Sequence, residues 1–251
     1  MDFRLIFKTA LLAGEIMLRN GAETYRVEDT INRILKTTKF AVVESYVTPT
    51  GLFATLDDPS IDSITMVRRV GQRSIHMGKV EKVNNVSREY VSGQISVYEA
   101  YSRLLVIKDL EPYSRLIHIL CFGIIAACFT VVFGGSPCDF LTSLIIGLIL
   151  GVFHKWMESR QISKFINDII SSGMVGLLSI LFTDYLPLGT DIDTIIIGCI
   201  MPLVPGLAIT NAIRDTLEGD LVSGLARALE AFIIAISIAV GIAISLSLFY
   251  I

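Results

Sequence analysis

The chain has 251 residues, of which 53% are hydrophobic and 18% are charged, and its mean hydropathy is +0.65. A soluble globular domain carries about 25% charged residues, so this composition excludes an ordinary soluble protein and indicates a membrane protein.

Charge is distributed unevenly along the chain. Residues 1–115 contain 16 of the 21 Lys and Arg residues and 14 of the 24 Asp and Glu residues, whereas residues 116–251 carry a net charge of −5. The sequence therefore predicts a water-compatible domain over residues 1–114 and a transmembrane domain over residues 115–251. Charged side chains interrupt the first apolar stretch too often for a cleavable signal peptide, so we expect the first domain to lie in the cytoplasm.

The first domain begins with two helical patterns, over about residues 2–19 and 24–38, separated by the helix C-cap signal Asn20-Gly21. Apolar residues of the first pattern recur at spacings of three and four, which predicts one core-facing helix face: Phe3, Ile6, Ala10, Ala13 and Met17. Three β-branched and aromatic runs follow, AVVESYV, GLFATL and SITMVRRV, and turn sequences separate them. Residues 77–92 and 95–110 predict two further helices. The pattern is that of an α+β domain with a small antiparallel sheet.

Two features of this domain suggest chemistry. The segment GAETYRVEDT places four charged residues within two helical turns, namely Glu23, Arg26, Glu28 and Asp29. An exposed cluster of i,i+3 ion pairs is the simplest explanation. His76 is the only histidine before the membrane domain, so a membrane-tethered hydrolase is the alternative function. No nucleophile elbow accompanies it, and we therefore expect no enzyme, no cofactor, no metal and no nucleic-acid partner.

The second part predicts an integral membrane protein, because it offers five apolar stretches of about the length that a bilayer core of ~30 Å requires. The loops at 154–164 and 214–227 carry five Lys and Arg residues, and the alternate loops carry none. The positive-inside rule then places the N-terminus in the cytoplasm and the C-terminus outside a cell inner (plasma) membrane. The predicted transmembrane helices of this five-helix bundle cover residues 115–135, 138–157, 163–183, 192–213 and 224–251.

The fourth stretch contains Pro202, Pro205 and Gly206 within five residues. The glycine is expected to add local flexibility and to let another backbone come close. The prolines lack N–H groups and are expected to free the carbonyls of Gly198 and Met201. Irregular backbone survives in a membrane where protein or a water-lined cavity covers it, and transporters use such broken helices at their substrate sites. The sequence predicts an unwound segment lining a substrate path, with a packed kink as the alternative.

Polar residues follow this segment and interrupt two other spans. Asn211, Arg214 and Asp215 lie near its cytoplasmic end, where the Arg214 guanidinium could bind a carboxylate through two hydrogen bonds. Arg214 is also a positive-inside residue that Asp215 could neutralise. Asp168 and Glu230 each lie about one turn inside a span. Ionisable groups there are candidates for a proton relay or for an ion pair, here with Arg227 or Lys164.

Several stretches resemble the threonine/serine exporter (ThrE-like) family, in its short form that holds only the N-terminal half (YjjP-like). They cover residues 11–34, 46–56 and 203–231, and the order of a soluble domain followed by five spans agrees. The residues that match the family signatures are Gly21, Glu23, Thr24, Tyr25, Arg26, Val27, Glu28, Pro205, Gly206, Asn211, Arg214 and Asp215.

The resemblance implies proton-driven export of threonine and serine, or of a dicarboxylate such as succinate. It also implies a second small membrane subunit that supplies the missing half, and it leaves a homo-oligomer open. Under this interpretation the substrate path involves Pro202, Pro205, Gly206, Asn211, Arg214 and Asp215. Gating or coupling falls to Asp168, Glu230, Glu23, Tyr25, Arg26 and Glu28.

Overall fold

The computed structural model describes residues 2–71, 73–111, 113–160 and 162–250, with only the backbone given for Tyr250. Two compact units make up the chain. The first comprises Met1–Pro112 and Leu207–Ala228, and the second comprises Tyr113–Gly206 and Leu229–Ile251. The sequence-based division placed residues 207–228 with the membrane helices, whereas their contacts group them with the N-terminal unit.

A helical layer begins the first unit. Its helices are α1 (Phe3–Arg19), α2 (Thr24–Leu35), α3 (Met77–Val91) and α4 (Val97–Lys108), with a 3₁₀ turn at Lys36–Thr38. The central helix is α1, which packs against the other three. It buries Ile6, Ala10, Ala13 and Met17 completely or nearly so, and these residues recur at the three- and four-residue spacing of one helix face.

A three-stranded sheet covers this helical layer. Its strands are β1 (Val42–Thr48), β2 (Gly51–Asp58) and β3 (Ile61–Arg69), antiparallel and in the order β1-β2-β3. Leu52, Ala54 and Leu56 of the middle strand are buried, which is the period-two pattern of a sheet with one covered face. The predicted small antiparallel sheet is confirmed.

Six further helices follow, four of them long and apolar. They are α5 (Arg115–Val132), α6 (Pro137–Ser159), α7 (Lys164–Ile180, extended by a π-helical turn to Tyr185), α8 (Ile192–Ile200, extended by a 3₁₀ turn to Leu203), α9 (Gly206–Leu217) and α10 (Leu221–Tyr250). Among the described residues four helices are long and apolar enough to cross a membrane, or five if α8 and α9 form one broken span. The structure thus supports four or five of the predicted spans.

Small residues let the helices of the second unit approach closely. A Cβ atom built on Gly147 of α6 would lie 2.8 Å from the Phe122 carbonyl oxygen of α5 and 2.9 Å from the Gly123 Cα. A Cβ on Gly241 of α10 would lie 2.9 Å from the backbone nitrogen of Gly173 in α7. Contacts this short exclude any side chain, and they are how membrane helices gain packing energy without a hydrophobic driving force.

Candidate functional site

The candidate site is built around the loop that joins α1 to α2, residues 20–23. Gly21 has a φ of +94°, a backbone conformation that residues with a Cβ adopt only at a cost. The Ala22 N–H donates to the Met17 carbonyl at 3.1 Å, so the chain reverses tightly after α1. This reversal places Glu23, the N-cap residue of α2, and Thr24, its first residue, against residues 211–227.

Asp215 of α9 caps α2 from outside that helix. One carboxylate oxygen accepts from the Thr24 N–H at 2.9 Å, and the other accepts from the Thr24 hydroxyl at 3.1 Å. The N-terminus of a helix has unpaired N–H groups and a partial positive charge, both of which favour a carboxylate. Asp215 is 0% exposed, so it is a structural anchor that water does not reach.

Arg227 of α10 completes this anchor. Its Nε lies 2.9 Å from the Asp215 carboxylate, and its second guanidinium nitrogen donates to the Ala22 carbonyl at 2.9 Å. Asn211 donates from its side chain to the Gly21 carbonyl at 3.0 Å. Loop 20–23 is therefore held through its carbonyls and through the first N–H of α2, and a buried ion pair lies at the centre of the contacts.

Glu23 forms a second and different ion pair beside the anchor. Its carboxylate is 4% exposed and accepts from Arg214 at 2.5 Å and from Arg26 at 3.2 Å. The side chain of Arg214, in contrast, is 54% exposed and that of Arg26 is 37% exposed. The carboxylate is thus buried while both guanidinium groups reach solvent.

The pKa values of three carboxyl groups follow from these surroundings. Burial acts to raise the pKa of Glu23, but its own backbone N–H and the two arginines bring the net pKa below the ordinary value. Burial raises the pKa of Glu28, and the negative charges of Asp220 and Asp215 add to this effect although the Val47 N–H, at 2.7 Å, opposes it. Burial and the neighbouring Asp215 likewise raise the pKa of Asp220.

The cluster differs from the exposed ion pairs that the helix pattern predicted. Glu23 and Arg26 do form the i,i+3 pair, but the buried Glu23 also bonds to a helix 191 residues away. The exposed-cluster explanation is wrong for Glu23, which is buried. Asp29 is exposed, but its partner is Arg33 at i,i+4, a residue outside the predicted cluster. Tyr25 is half-buried on α2.

The predicted helix break is present, but its chemistry differs from the expectation. Regular helix ends at Leu203 and resumes at Gly206, and Val204 between them is extended, with a ψ of 130°. The Gly198 and Met201 carbonyls, which we expected to be free, accept 3₁₀ hydrogen bonds from the N–H groups of Met201 and Val204. Tightening of the last turn therefore satisfies the carbonyls that Pro202 and Pro205 release.

Gly206 also differs from its expected role. Among the described residues nothing lies within 4 Å of a Cβ atom built on it, so close approach of another backbone does not explain the glycine. Pro202 and Pro205 are half-buried. These three residues form the break, and Asn211, Arg214 and Asp215 form the cluster with α2.

The two acidic residues predicted inside spans have different surroundings. Asp168 on α7 is 2% exposed, and its Oδ2 has no hydrogen-bond partner among the described residues. Buried polar side chains share this helix, since Ser171 donates to the Asn167 side chain at 3.0 Å. Glu230 on α10 is half-buried. Asp168 is therefore a buried carboxylate with one oxygen unpartnered among the described residues, and such a group is costly in its charged form.

Sequence reasoning missed two anchoring residues. The sequence presents Arg227 as a positive charge of the 214–227 loop and as a candidate partner for Asp168 or Glu230, and no local pattern links it to Ala22. Asp139 is 1% exposed and accepts from the Ser136 N–H, from the Thr190 N–H and hydroxyl, and from the Asp191 N–H, at 2.6 to 3.2 Å. The sequence SPCD carries the signature of a capping box, which could have identified Asp139.

His76, the residue behind the hydrolase alternative, caps a helix. Its Nδ1 accepts from the Lys79 N–H at 3.2 Å at the start of α3, and its own N–H donates to the Asn20 carbonyl at 3.2 Å. These contacts give His76 a structural role next to loop 20–23. Among the described residues no group of three or more His, Cys, Asp and Glu side chains is placed to hold a metal ion.

Comparison with known proteins gives one family. The model of the family described as "Putative threonine/serine exporter" matches residues 8–249. The "Probable succinate transporter subunit YjjP" of Klebsiella aerogenes is 24% identical over 225 residues, which cover 89% of this chain and 86% of that protein. The protein of the same description in Escherichia coli K12 is 22% identical over 89% of this chain and 87% of its own length.

A longer relative also matches. The "Probable threonine/serine exporter" of Mycobacterium tuberculosis is 23% identical over 241 residues, which cover 92% of this chain but 44% of that protein. No solved structure matches the chain.

Apolar helices of membrane-crossing length, with a proline break between α8 and α9, are typical of membrane transport proteins. The chain belongs to the threonine/serine exporter family, since the family model covers nearly its whole length. The resemblance inferred from residues 21–28 and 205–215 is confirmed, and the structure places Glu23 and Thr24 of the first stretch against Arg214 and Asp215 of the second.

Proposed function

We propose that this chain is one subunit of a secondary active exporter that moves small carboxylates out of the cytoplasm. The substrates are threonine and serine, or a dicarboxylate such as succinate. The family membership supports export, and the names of its relatives mention both threonine/serine and succinate. The protein spans a cell inner membrane several times, with the N-terminal unit and N-terminus in the cytoplasm and the C-terminus outside.

One observation supports carboxylates as the substrate class. The side chain of Arg214 is 54% exposed, while Asp215 next to it is fully buried and bonds to the first residue of α2. A rigidly supported and accessible guanidinium is suited to a carboxylate, because its fork of N–H groups matches the two carboxylate oxygens. Threonine, serine and succinate all carry that group, so Arg214 selects the class without choosing among them.

Proton coupling is assigned to Asp168. A carboxylate on a membrane-crossing helix is costly in its charged form unless it is paired. Asp168 is 2% exposed with one oxygen lacking a partner among the described residues, and binding a proton removes the cost. The helix break at Val204–Pro205 supplies the irregular backbone at which transporters of other folds bind substrate, and we place the substrate path beside it.

A second small membrane subunit completes the exporter. The chain matches 44% of the length of the Mycobacterium tuberculosis relative, so that protein has room for another half. The shorter relatives are described as subunits. The partner is expected to be encoded by a neighbouring reading frame as a small polytopic protein, and the long relative would contain both halves in one chain.

Reconstitution tests this proposal. The full chain is placed in lipid vesicles with and without the second subunit, and the vesicles are loaded with labelled succinate or labelled threonine. We expect efflux of at least one substrate, dependent on both subunits and accelerated by an opposing proton gradient. Full efflux without the second subunit would remove the partner from the proposal, and no efflux of either substrate by the pair would refute the exporter.

A further inference from the structure

The two ion pairs of the site differ in how replaceable they are. The Asp215–Arg227 pair is buried on both sides, with side-chain exposures of 0% and 8%. The Glu23–Arg214 pair is buried only at the carboxylate, since the Glu23 side chain is 5% exposed and the Arg214 side chain is 54% exposed. The second pair is therefore open on its arginine side, and the first is closed on both sides.

We propose that Glu23 is an internal competitor that occupies, on Arg214, the place of the transported carboxylate. In the structure described here the Arg214 guanidinium already holds a carboxylate at 2.5 Å, and that carboxylate belongs to the chain itself. An incoming substrate carboxylate exchanges with Glu23 for Arg214. This inference rests on the proposed function, because it takes Arg214 as the substrate-binding residue.

The surroundings of Glu23 make such an exchange inexpensive. When Arg214 turns to a substrate, Glu23 keeps its contact with Arg26 at 3.2 Å. Its own backbone N–H also continues to stabilise the charge. Neither carboxylate is left without a hydrogen-bond donor, so the large cost of stranding a buried charge does not arise.

The same exchange at Asp215 would be costly. Its removal would leave Arg227 and the Thr24 N–H without their carboxylate in a buried site. The structure thus divides the work between neighbouring residues, with Asp215 fixing α9 to loop 20–23 and Arg214 free to change partners. A ligand without a carboxylate has no means to displace Glu23, so the exchange also discriminates against solutes that lack this group.

The test measures binding to the purified full chain in lipid nanodiscs. The probes are labelled succinate and labelled L-threonine, with unlabelled succinamide as a competitor of similar size that has no carboxylate. In Glu23→Gln the neutral amide competes weakly for Arg214, so the binding-competent fraction rises. We expect the apparent affinity for at least one probe to increase about threefold to tenfold, since an apparent Kd scales inversely with that fraction.

The chain offers a matched control in Asp29→Asn. Asp29 lies on the same helix and pairs with Arg33 on its exposed face, so this variant changes the net charge equally without touching Arg214. Its affinity should equal that of wild type, and Arg214→Ala should lose binding. Thermal unfolding of each variant verifies the fold, and Glu23→Asp, which shortens the competitor by one methylene, should shift affinity in the same direction by a smaller factor.

The outcomes are distinguishable. If wild type binds a carboxylate through Arg214 but Glu23→Gln and Glu23→Asp bind it no more tightly, the internal competitor is refuted and the proposed function stands. If succinamide displaces the probe as well as unlabelled succinate does, recognition is not of the carboxylate and the exchange is refuted. If wild type and every variant fail to bind either probe, the carboxylate site on Arg214 is refuted, and the internal competitor is refuted with it.

Discussion

Replacing Asp215 with Ala tests the structural half of the site. The change removes a fully buried carboxylate and leaves Arg227, which is 6% exposed, without its charged partner. The Thr24 N–H and hydroxyl also lose their acceptor. Breaking a buried ion pair by deleting one partner costs about 3–5 kcal/mol, and the loss of a helix cap costs about 1 kcal/mol as part of that total.

A loss of this size is large against the ~5–15 kcal/mol that holds a typical domain folded. We expect it to be concentrated in loop 20–23 and the first turn of α2, because those are the elements that Asp215 and Arg227 hold. Hydrogen exchange measured by mass spectrometry reads this region directly. A loss of about 1.4 kcal/mol in local stability raises the exchange rate by a factor of ten. Peptides covering residues 20–30 should therefore exchange a hundredfold faster or more in Asp215→Ala.

The double variant Asp215→Ala/Arg227→Met sharpens the test. Replacing both charges with apolar side chains removes the stranded guanidinium, so protection should recover in part relative to Asp215→Ala. Asp29→Asn serves as the surface control and should leave exchange unchanged. Wild-type exchange rates over residues 20–30 in Asp215→Ala would refute the anchoring role of this ion pair.

Two further predictions concern coupling and the alternative function. Asp168→Asn should abolish the acceleration of efflux by a proton gradient, because the amide cannot be charged or take up a proton. Substrate exchange without a gradient should persist. Gradient-driven efflux at the wild-type rate would remove Asp168 from the coupling step. His76→Ala should lower the free energy of unfolding by about 1 kcal/mol through the lost helix cap, and it should leave efflux intact. Loss of function in a folded His76→Ala protein would favour the membrane-tethered hydrolase.

Much of the fold could be predicted because its signals are local. Spacings of three and four residues identified the buried face of α1, and turn sequences separated the strands of the sheet. Pro202 and Pro205 identified the position of the break. The way in which the break satisfies its own carbonyls could not be predicted, since the 3₁₀ turn at Met201–Leu203 needs only a small backbone adjustment that many sequences permit.

The candidate site could be predicted only in part. The resemblance selected Glu23, Arg214 and Asp215, yet nothing in the sequence joins Thr24 to Asp215 across 191 residues. By sequence, Arg227 is one of the positive charges of a cytoplasmic loop, because the positive-inside rule uses only the position of a residue along the chain and not the position of its side chain. The exposed fraction of each side chain separates the structural pair from the accessible pair, and that quantity exists only in the folded chain.

The most direct measurement of the central claim is efflux by the reconstituted two-subunit complex with Arg214 altered. Arg214→Ala should insert and elute as wild type does while efflux of labelled succinate and threonine falls to background. Arg214→Lys should retain a fraction of the flux, since an ammonium keeps the charge but not the fork of donors. Wild-type efflux from a correctly inserted Arg214→Ala protein would contradict the account.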